Sequence, residues 1–162
     1  MKKILRNTLI AAFCGAGLLA VSTDANAQRG EKTLGIAGGF ATYNDGGFMD
    51  IYFQYSFANH VRIATEIGYV FRNDGASAFE MSVDMQFPFR LAKGFSVYPL
   101  AGLTFNNWSY KHGGNATRAG GDIGAGFDLL LTSSLKLTLQ GKYSMMNDTS
   151  GGFIGMGLGY VF

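Results

Sequence analysis

Charge is scarce in this chain of 162 residues: only 15% are Asp, Glu, Lys or Arg, against about a quarter in an average soluble domain. Proline occurs twice, cysteine once and tryptophan once. There is no heptad repeat and no Gly-X-Y period, which excludes a coiled coil and a collagen-like rod. Past Val21 no long apolar run occurs, and a mean hydropathy of +0.12 is too low for a helical membrane protein. What the chain has in quantity is glycine, 24 residues, with 14 Phe and 8 Tyr. That aromatic content excludes a disordered chain, and the length corresponds to about one domain.

The one apolar run sits at the N-terminus. Lys2, Lys3 and Arg6 precede the apolar stretch from Leu9 to Val21, and Ala25-Asn26-Ala27 follows as a small-x-small site. The stretch is too short to span a bilayer as a helix. This order predicts a cleaved export signal over residues 1–27 and a single domain over 28–162. Cys14 falls inside the signal, behind Phe13 where a lipoprotein signal needs a small residue. The expected mature chain therefore contains no cysteine, hence neither a disulfide framework nor a Cys metal site. It also loses three basic residues and Asp24, which takes the net charge of +2 to zero. No basic stripe remains to suggest a nucleic-acid partner.

From Thr33 to Phe162 apolar residues recur with period two, the spacing of strands. Met49, Ile51, Phe53, Tyr55 and Phe57 alternate with Asp50, Tyr52, Gln54 and Ser56. The same alternation runs through 61–71, 79–87, 122–129, 135–145 and 154–162. Weaker segments at Thr33–Tyr43 and Phe95–Phe105 bring the set to eight. Long turn-rich links (Asn44–Gly47, Arg72–Ser77, Asn106–Thr117, Met146–Gly151) take turns with tight ones at Ala58–His60, Arg90–Gly94 and Thr132–Ser134. That is the rhythm of an up-and-down meander. Pro99 interrupts the fifth segment, since it removes a ladder donor from a barrel without a free edge. A bulge there is expected to absorb it, leaving the direction of Tyr98 and Leu100 open.

The two parities differ in character. One collects glycine and alanine (Gly35, Ala37, Gly39, Gly124, Gly126, Gly155, Gly157, Gly159) together with the central charges. The other is bulky, with Phe57, Tyr69, Phe71, Phe79, Phe87, Tyr143, Tyr160 and Phe162 toward strand ends. Small residues suit a narrow lumen holding polar side chains, and the bulky parity suits a lipid-facing belt with aromatic girdles. The expected fold is all-β: an eight-stranded antiparallel up-and-down transmembrane β-barrel. A secreted lipocalin-like binder is the soluble alternative, and its Gly-x-Trp near the mature N-terminus is missing.

The last segment ends on Phe162 behind Tyr160, Leu158, Met156 and Ile154 on one parity. This resembles the C-terminal signature by which the insertion machinery recognises bacterial outer-membrane barrels. Phe95–Leu103 and Gly124–Phe127 also resemble segments of the "outer membrane protein beta-barrel domain" families, and the whole mature chain looks like a small barrel of the OmpA/OmpX-like superfamily. The resemblance implies a monomer in the bacterial outer membrane with both termini in the periplasm. Its implied partners are outer-membrane lipids, lipopolysaccharide and the barrel-insertion machinery, with Tyr160 and Phe162 as the insertion signature.

Nine inward charges form the candidate site: Asp50, Arg62, Glu66, Glu80, Asp84, Asp122, Asp128, Lys136 and Lys142. Opposite strands place Lys136 and Lys142 across from Arg62 and Glu66. Glu66 and Asp84 lie close enough to repel, and Lys142 is the expected partner of Glu66. Small barrels are filled by their side chains, so a polar plug is expected. The functional alternative is a gate in a narrow pore, where six inward acids against three bases would favour cations. Trp108, Tyr110, Lys111 and Arg118 are the candidate surface-loop contacts, Trp108 and Tyr110 as anchors in the outer interface and Lys111 and Arg118 toward phosphates. No enzyme activity is expected: neither His60 nor His112 has an evident orienting partner, and no G-x-S-x-G occurs. Two separated histidines make no metal site, and no cofactor is expected.

Overall fold

The computed structural model describes residues 29–162 except 74, 112–113 and 148–149. The expected signal over 1–27 and His112 therefore lie outside the described residues. The strands are β1 (Lys32–Ala41), β2 (Gly46–Ala58), β3 (Val61–Asn73), β4 (Ala76–Gln86), β5 (Phe89–Ala92), β6 (Phe95–Tyr110), β7 (Asn115–Leu130), β8 (Leu135–Met146) and β9 (Gly151–Val161). Every pairing is antiparallel, and β1 against β9 closes the sheet. Because β4 and β5 both lie along β6, they are two pieces of one wall strand. The result is the closed eight-stranded barrel that the alternation predicts.

Period-two patterning decides which side of the wall each residue takes. Met49, Ile51, Phe53, Tyr55 and Phe57 are exposed on the outside, whereas Tyr52, Gln54 and Ser56 are buried in the lumen. The same holds around the wall: Ile67, Tyr69, Phe79, Met81, Leu103, Phe105, Ile123, Tyr143, Ile154 and Leu158 all face out. A continuous apolar skin of this extent is untenable in water and suits hydrocarbon. It inverts the arrangement of a lipocalin-like binder. Among the described residues no helix is long and apolar enough to cross a membrane; strands form the whole wall.

Following paired residues once around, from Lys32 through Tyr55, Ile63, Met85, Ala101, Ile123, Tyr143 and Gly152, leads back to Thr42, ten positions along from the start. Such a stagger tilts the strands by roughly 35–45° to the barrel axis. Side chains distant in register are thereby brought to one height in the lumen.

Two expectations need correction. β6 carries no bulge at Pro99: its register against β7 runs unshifted from Phe95↔Leu129 to Ser109↔Asn115. The break falls on the facing chain instead, at Phe87-Pro88 between β4 and β5. Phe87 N–H donates to the Pro99 carbonyl at 3.0 Å, and proline cannot return the bond. With the register intact, Tyr98 and Leu100 point inward and are buried. Second, Asn106–Thr117 is mostly strand: β6 continues to Tyr110 and β7 begins at Asn115.

Candidate functional site

The inward residues fill the lumen with two charge clusters of different make-up. Toward the rim away from the chain ends, β2, β3, β4 and β7 supply Asp50, Glu66, Glu80, Asp84 and Asp122, and β8 supplies Lys142 alone. Lys142 Nζ lies 2.7 Å from Glu66 Oε2, 3.5 Å from Glu80, 3.6 Å from Asp122 and 3.9 Å from Asp84. It also donates to Ser82 Oγ at 3.0 Å, and Ser82 donates to Glu66. Lys142, Asp84 and Asp122 are all buried. Both carboxylate oxygens of Asp84 and Asp122, with Oδ1 of Asp50, are buried without a hydrogen-bond partner. Positive charge is in short supply there.

Toward the chain ends the arrangement is paired. Arg62 Nη1 meets Asp128 Oδ2 at 2.6 Å, and Thr138 donates to the other oxygen at 2.8 Å. Lys136 Nζ donates to Thr33 Oγ1 and Gln54 Oε1 at 2.9 and 2.8 Å, and it lies 3.6 Å from Glu31 and 4.0 Å from Asp128. The Arg62 guanidinium also stacks over the Tyr98 ring at 4.8 Å. Buried ions survive only when partnered to this degree, because desolvation costs several kcal/mol per ion.

Neutral amides join the two clusters. Arg62 Nε donates to Gln86 Oε1 (2.7 Å), Gln86 Nε2 to Gln140 Oε1 (3.3 Å), and Gln140 Nε2 to Glu66 Oε1 (2.9 Å). Tyr98 also donates to Gln140 Oε1. One line of hydrogen bonds thus runs from Asp128 to Lys142 through the axis of the barrel. A void of about 40 Å³ remains beside it, lined by Asp50, Tyr52, Glu66, Gln140 and Gly157 among others. That is room for about three waters.

Above the acidic cluster the lumen turns apolar. Ala41, Val70, Ala78, Trp108 and Phe153 form a buried cluster, with Tyr43, Phe48, Ala76 and Ala116 packed against it. Tyr43, from the turn after β1, sets its ring edge-on to Trp108 (5.1 Å) and Phe153 (4.8 Å). Its hydroxyl donates to Glu80 Oε2 at 2.8 Å. Burial first, and then the Glu80 charge, pushes this phenol above its ordinary range. The turn is fastened from outside as well: Asn44 donates to the Phe71 carbonyl, and Asn73 donates to the carbonyls of Asn44 and Asp45.

Trp108 is therefore no outer-interface anchor: it is 2% exposed and forms the inside of the rim. It follows Tyr98, Leu100, Thr104 and Asn106 on the inward parity, which β6 carries further than the turn-like composition suggests. Arg118 is likewise not on a surface loop but half-buried in β7, in register with Asn106. Tyr110 and Lys111 are exposed at the rim. Tyr160 and Phe162 lie outside with their rings stacked at 6.3 Å. Reading the sequence missed Gln86 and Gln140, whose inward parity was visible although they carry no charge. It also missed Glu31, which precedes a strand, and Tyr43, which closes the segment read as the first strand but lies in the turn after β1. Among the described residues no group of three or more His, Cys, Asp or Glu is placed to hold a metal ion.

No protein-family model and no curated sequence relative matches the chain. Solved structures do. The N-terminal β-barrel domain of Pseudomonas aeruginosa OprF superposes with a TM-score of 0.72 at 18% identity, over 83% of this chain and 98% of that one. Neisserial surface protein A gives 0.67 at 16% identity, over 82% and 96%. Ail, the attachment invasion locus protein of Yersinia pestis, in complex with the heparin analogue sucrose octasulfate, gives 0.61 at 19%, over 83% and 100%. These are small eight-stranded outer-membrane barrels, and the likeness is one of fold.

Proposed function

We propose that this protein is a monomeric barrel of the bacterial outer membrane with a structural or surface-interaction role and no catalysis. Residues 1–27 are an export signal removed on secretion, and 28–162 form the barrel, with both chain ends in the periplasm. The nine inward charges act as a plug. The observation that carries this reading is the unbroken hydrogen-bond line from Asp128 to Lys142 under the Tyr43–Trp108–Phe153 cap. Side chains that fill the lumen and bond one another along its axis favour a plug over a channel. The apolar skin supports the membrane location and argues against a lipocalin-like binder. Tyr160 and Phe162, at the end of the closing strand, serve recognition by the insertion machinery. The exposed Lys111 meets lipopolysaccharide phosphates at the outer rim, a contact to which Arg118 adds its charge through the wall.

Reconstitution of the purified barrel in planar bilayers tests the plug. Current at the level of the protein-free bilayer is expected. Steady cation-preferring conductance would favour the second reading, a narrow pore, for which the acid-rich half of the lumen speaks. Fractionation comes first: the protein should stay with detergent-solubilised membrane and change gel mobility on heating. Solubility without detergent would overturn the membrane reading.

A further inference from the structure

The lumen mouth at the chain ends holds a second cavity, of about 30 Å³, between β5, β6, β7 and β8. Three cations line it: Arg62, Arg90 and Lys136. They face two carboxylates, Asp128 and Glu31, both already engaged. Asp128 is taken by Arg62 and Thr138, and Glu31 lies 3.6 Å from Lys136. Arg90 is half-buried on the inward parity of β5 and has no ion-pair partner among the described residues.

A second feature is independent of that charge balance. Arg62 is 3% exposed; its Nε and Nη1 are satisfied by Gln86 and Asp128, but its Nη2 is buried with no hydrogen-bond partner. A buried guanidinium donor left unbonded costs more than a neutral one and calls for an acceptor. Arg62 lines the cavity together with the apolar walls of Pro88, Phe95 and Leu130, and Ser96 sits among them.

We propose that this cavity is an oxyanion site, which takes the carboxylate group of a small solute entering from the end where the termini lie. The carboxylate accepts from the one nitrogen Arg62 has to spare, Nη2, and from the fork of Arg90, which suits its planar pair of oxygens. Size selects carboxylate over phosphate, because a cavity of about 30 Å³ holds about two water-sized groups. This site goes beyond the plug reading and does not depend on whether the lumen conducts.

The test is an amide NMR titration of the folded barrel in an uncharged sugar detergent, so that the micelle supplies no anion. Acetate, inorganic phosphate and chloride are compared at matched ionic strength. Saturable shifts at Gly94, Ser96 and Leu130 with acetate are expected, with chloride giving only small linear drifts. Arg90→Gln removes a side chain without an internal partner, so folding persists, and the acetate midpoint should rise at least tenfold. Linear drifts with acetate would mean the cavity holds only water and would overturn the site. An unchanged midpoint in the variant would overturn the role of Arg90, and tighter binding of phosphate than of acetate would overturn the carboxylate assignment.

Discussion

Near the chain ends Arg62 and Asp128 meet at 2.6 Å while Lys136 stands by with partners of its own; toward the opposite rim Lys142 is, among the described residues, the one cation within 4 Å of Glu66, Glu80, Asp84 and Asp122. Both halves bury charges in the same narrow tube, yet their deficits are opposite. The far half is short of positive charge: carboxylate oxygens of Asp50, Asp84 and Asp122 stay buried and unbonded there, even beside unbonded neutral donors on Asn106, Trp108 and Ser144. The near half has a donor to spare in Arg62 Nη2. A lumen whose inward acids outnumber its inward bases is thus polarised along its axis, with the excess acid in the far half. Its two ends should respond differently to the loss of one residue: the near half has redundant partners, the far half a single keystone.

The largest effect should come from removing that keystone. Lys142→Met leaves four inward carboxylates without their cation and should cost at least about 3–5 kcal/mol, read as a lowered midpoint of heat-modifiable gel mobility or failure to fold in vesicles. Arg62→Met should cost less, about 2–3 kcal/mol, at or just below the low end for a broken buried pair, because Lys136 remains 4.0 Å from Asp128. Equal losses would dissolve the distinction between the halves. Tyr43→Phe removes one hydrogen bond to Glu80 and should cost about 1–2 kcal/mol. Trp108 is the sole tryptophan, so its acrylamide quenching should rise if the cap loosens. The smallest change is expected from Asp84→Asn, within about 1 kcal/mol and of either sign, because it relieves repulsion in a cluster short of positive charge. The matched Asp128→Asn should be clearly worse, and the reverse order in urea titrations would invert the comparison.

The wall was readable in the sequence because a strand repeats every two residues, and each of the eight segments supplied several repeats. Pairs of lumen charges followed from the same parity: Glu66 and Lys142 lie on inward positions of opposite strands. The rim was harder. Asn106, Asn107, Asn115 and Thr117 read as turn chemistry, but Asn106 is buried in the lumen and Asn107 donates to Thr117 Oγ1 across the ladder. Polar residues at a barrel end satisfy each other inside strands, so composition marked the boundary too early and put Trp108 in a loop. Tyr43 read as the end of the first segment, but β1 stops at Ala41, and the path that turns its ring into the mouth is set by contacts to β3 and β4. Pro99 drew attention to the wrong chain, because a missing N–H disturbs the strand that would have accepted its bond.

The seam between β1 and β9 carries a kinetic consequence. It joins the two ends of the described chain, so it is the longest-range ladder in the molecule and the slowest kind of contact to form. At its centre the inward residues meet as Gly35↔Gly159, Ala37↔Gly157 and Gly39↔Gly155. A Cβ at Gly35 would run into Tyr52 Cζ, and one at Gly159 would lie 2.6 Å from its hydroxyl, so the Tyr52 ring lies over the seam from β2. The two edges therefore carry almost no inward side chains that must interlock as they meet. The Lys142 and Arg62 networks can assemble on the open sheet of β2 to β8, and the final seam then zips shut like a smooth flap over contents already packed.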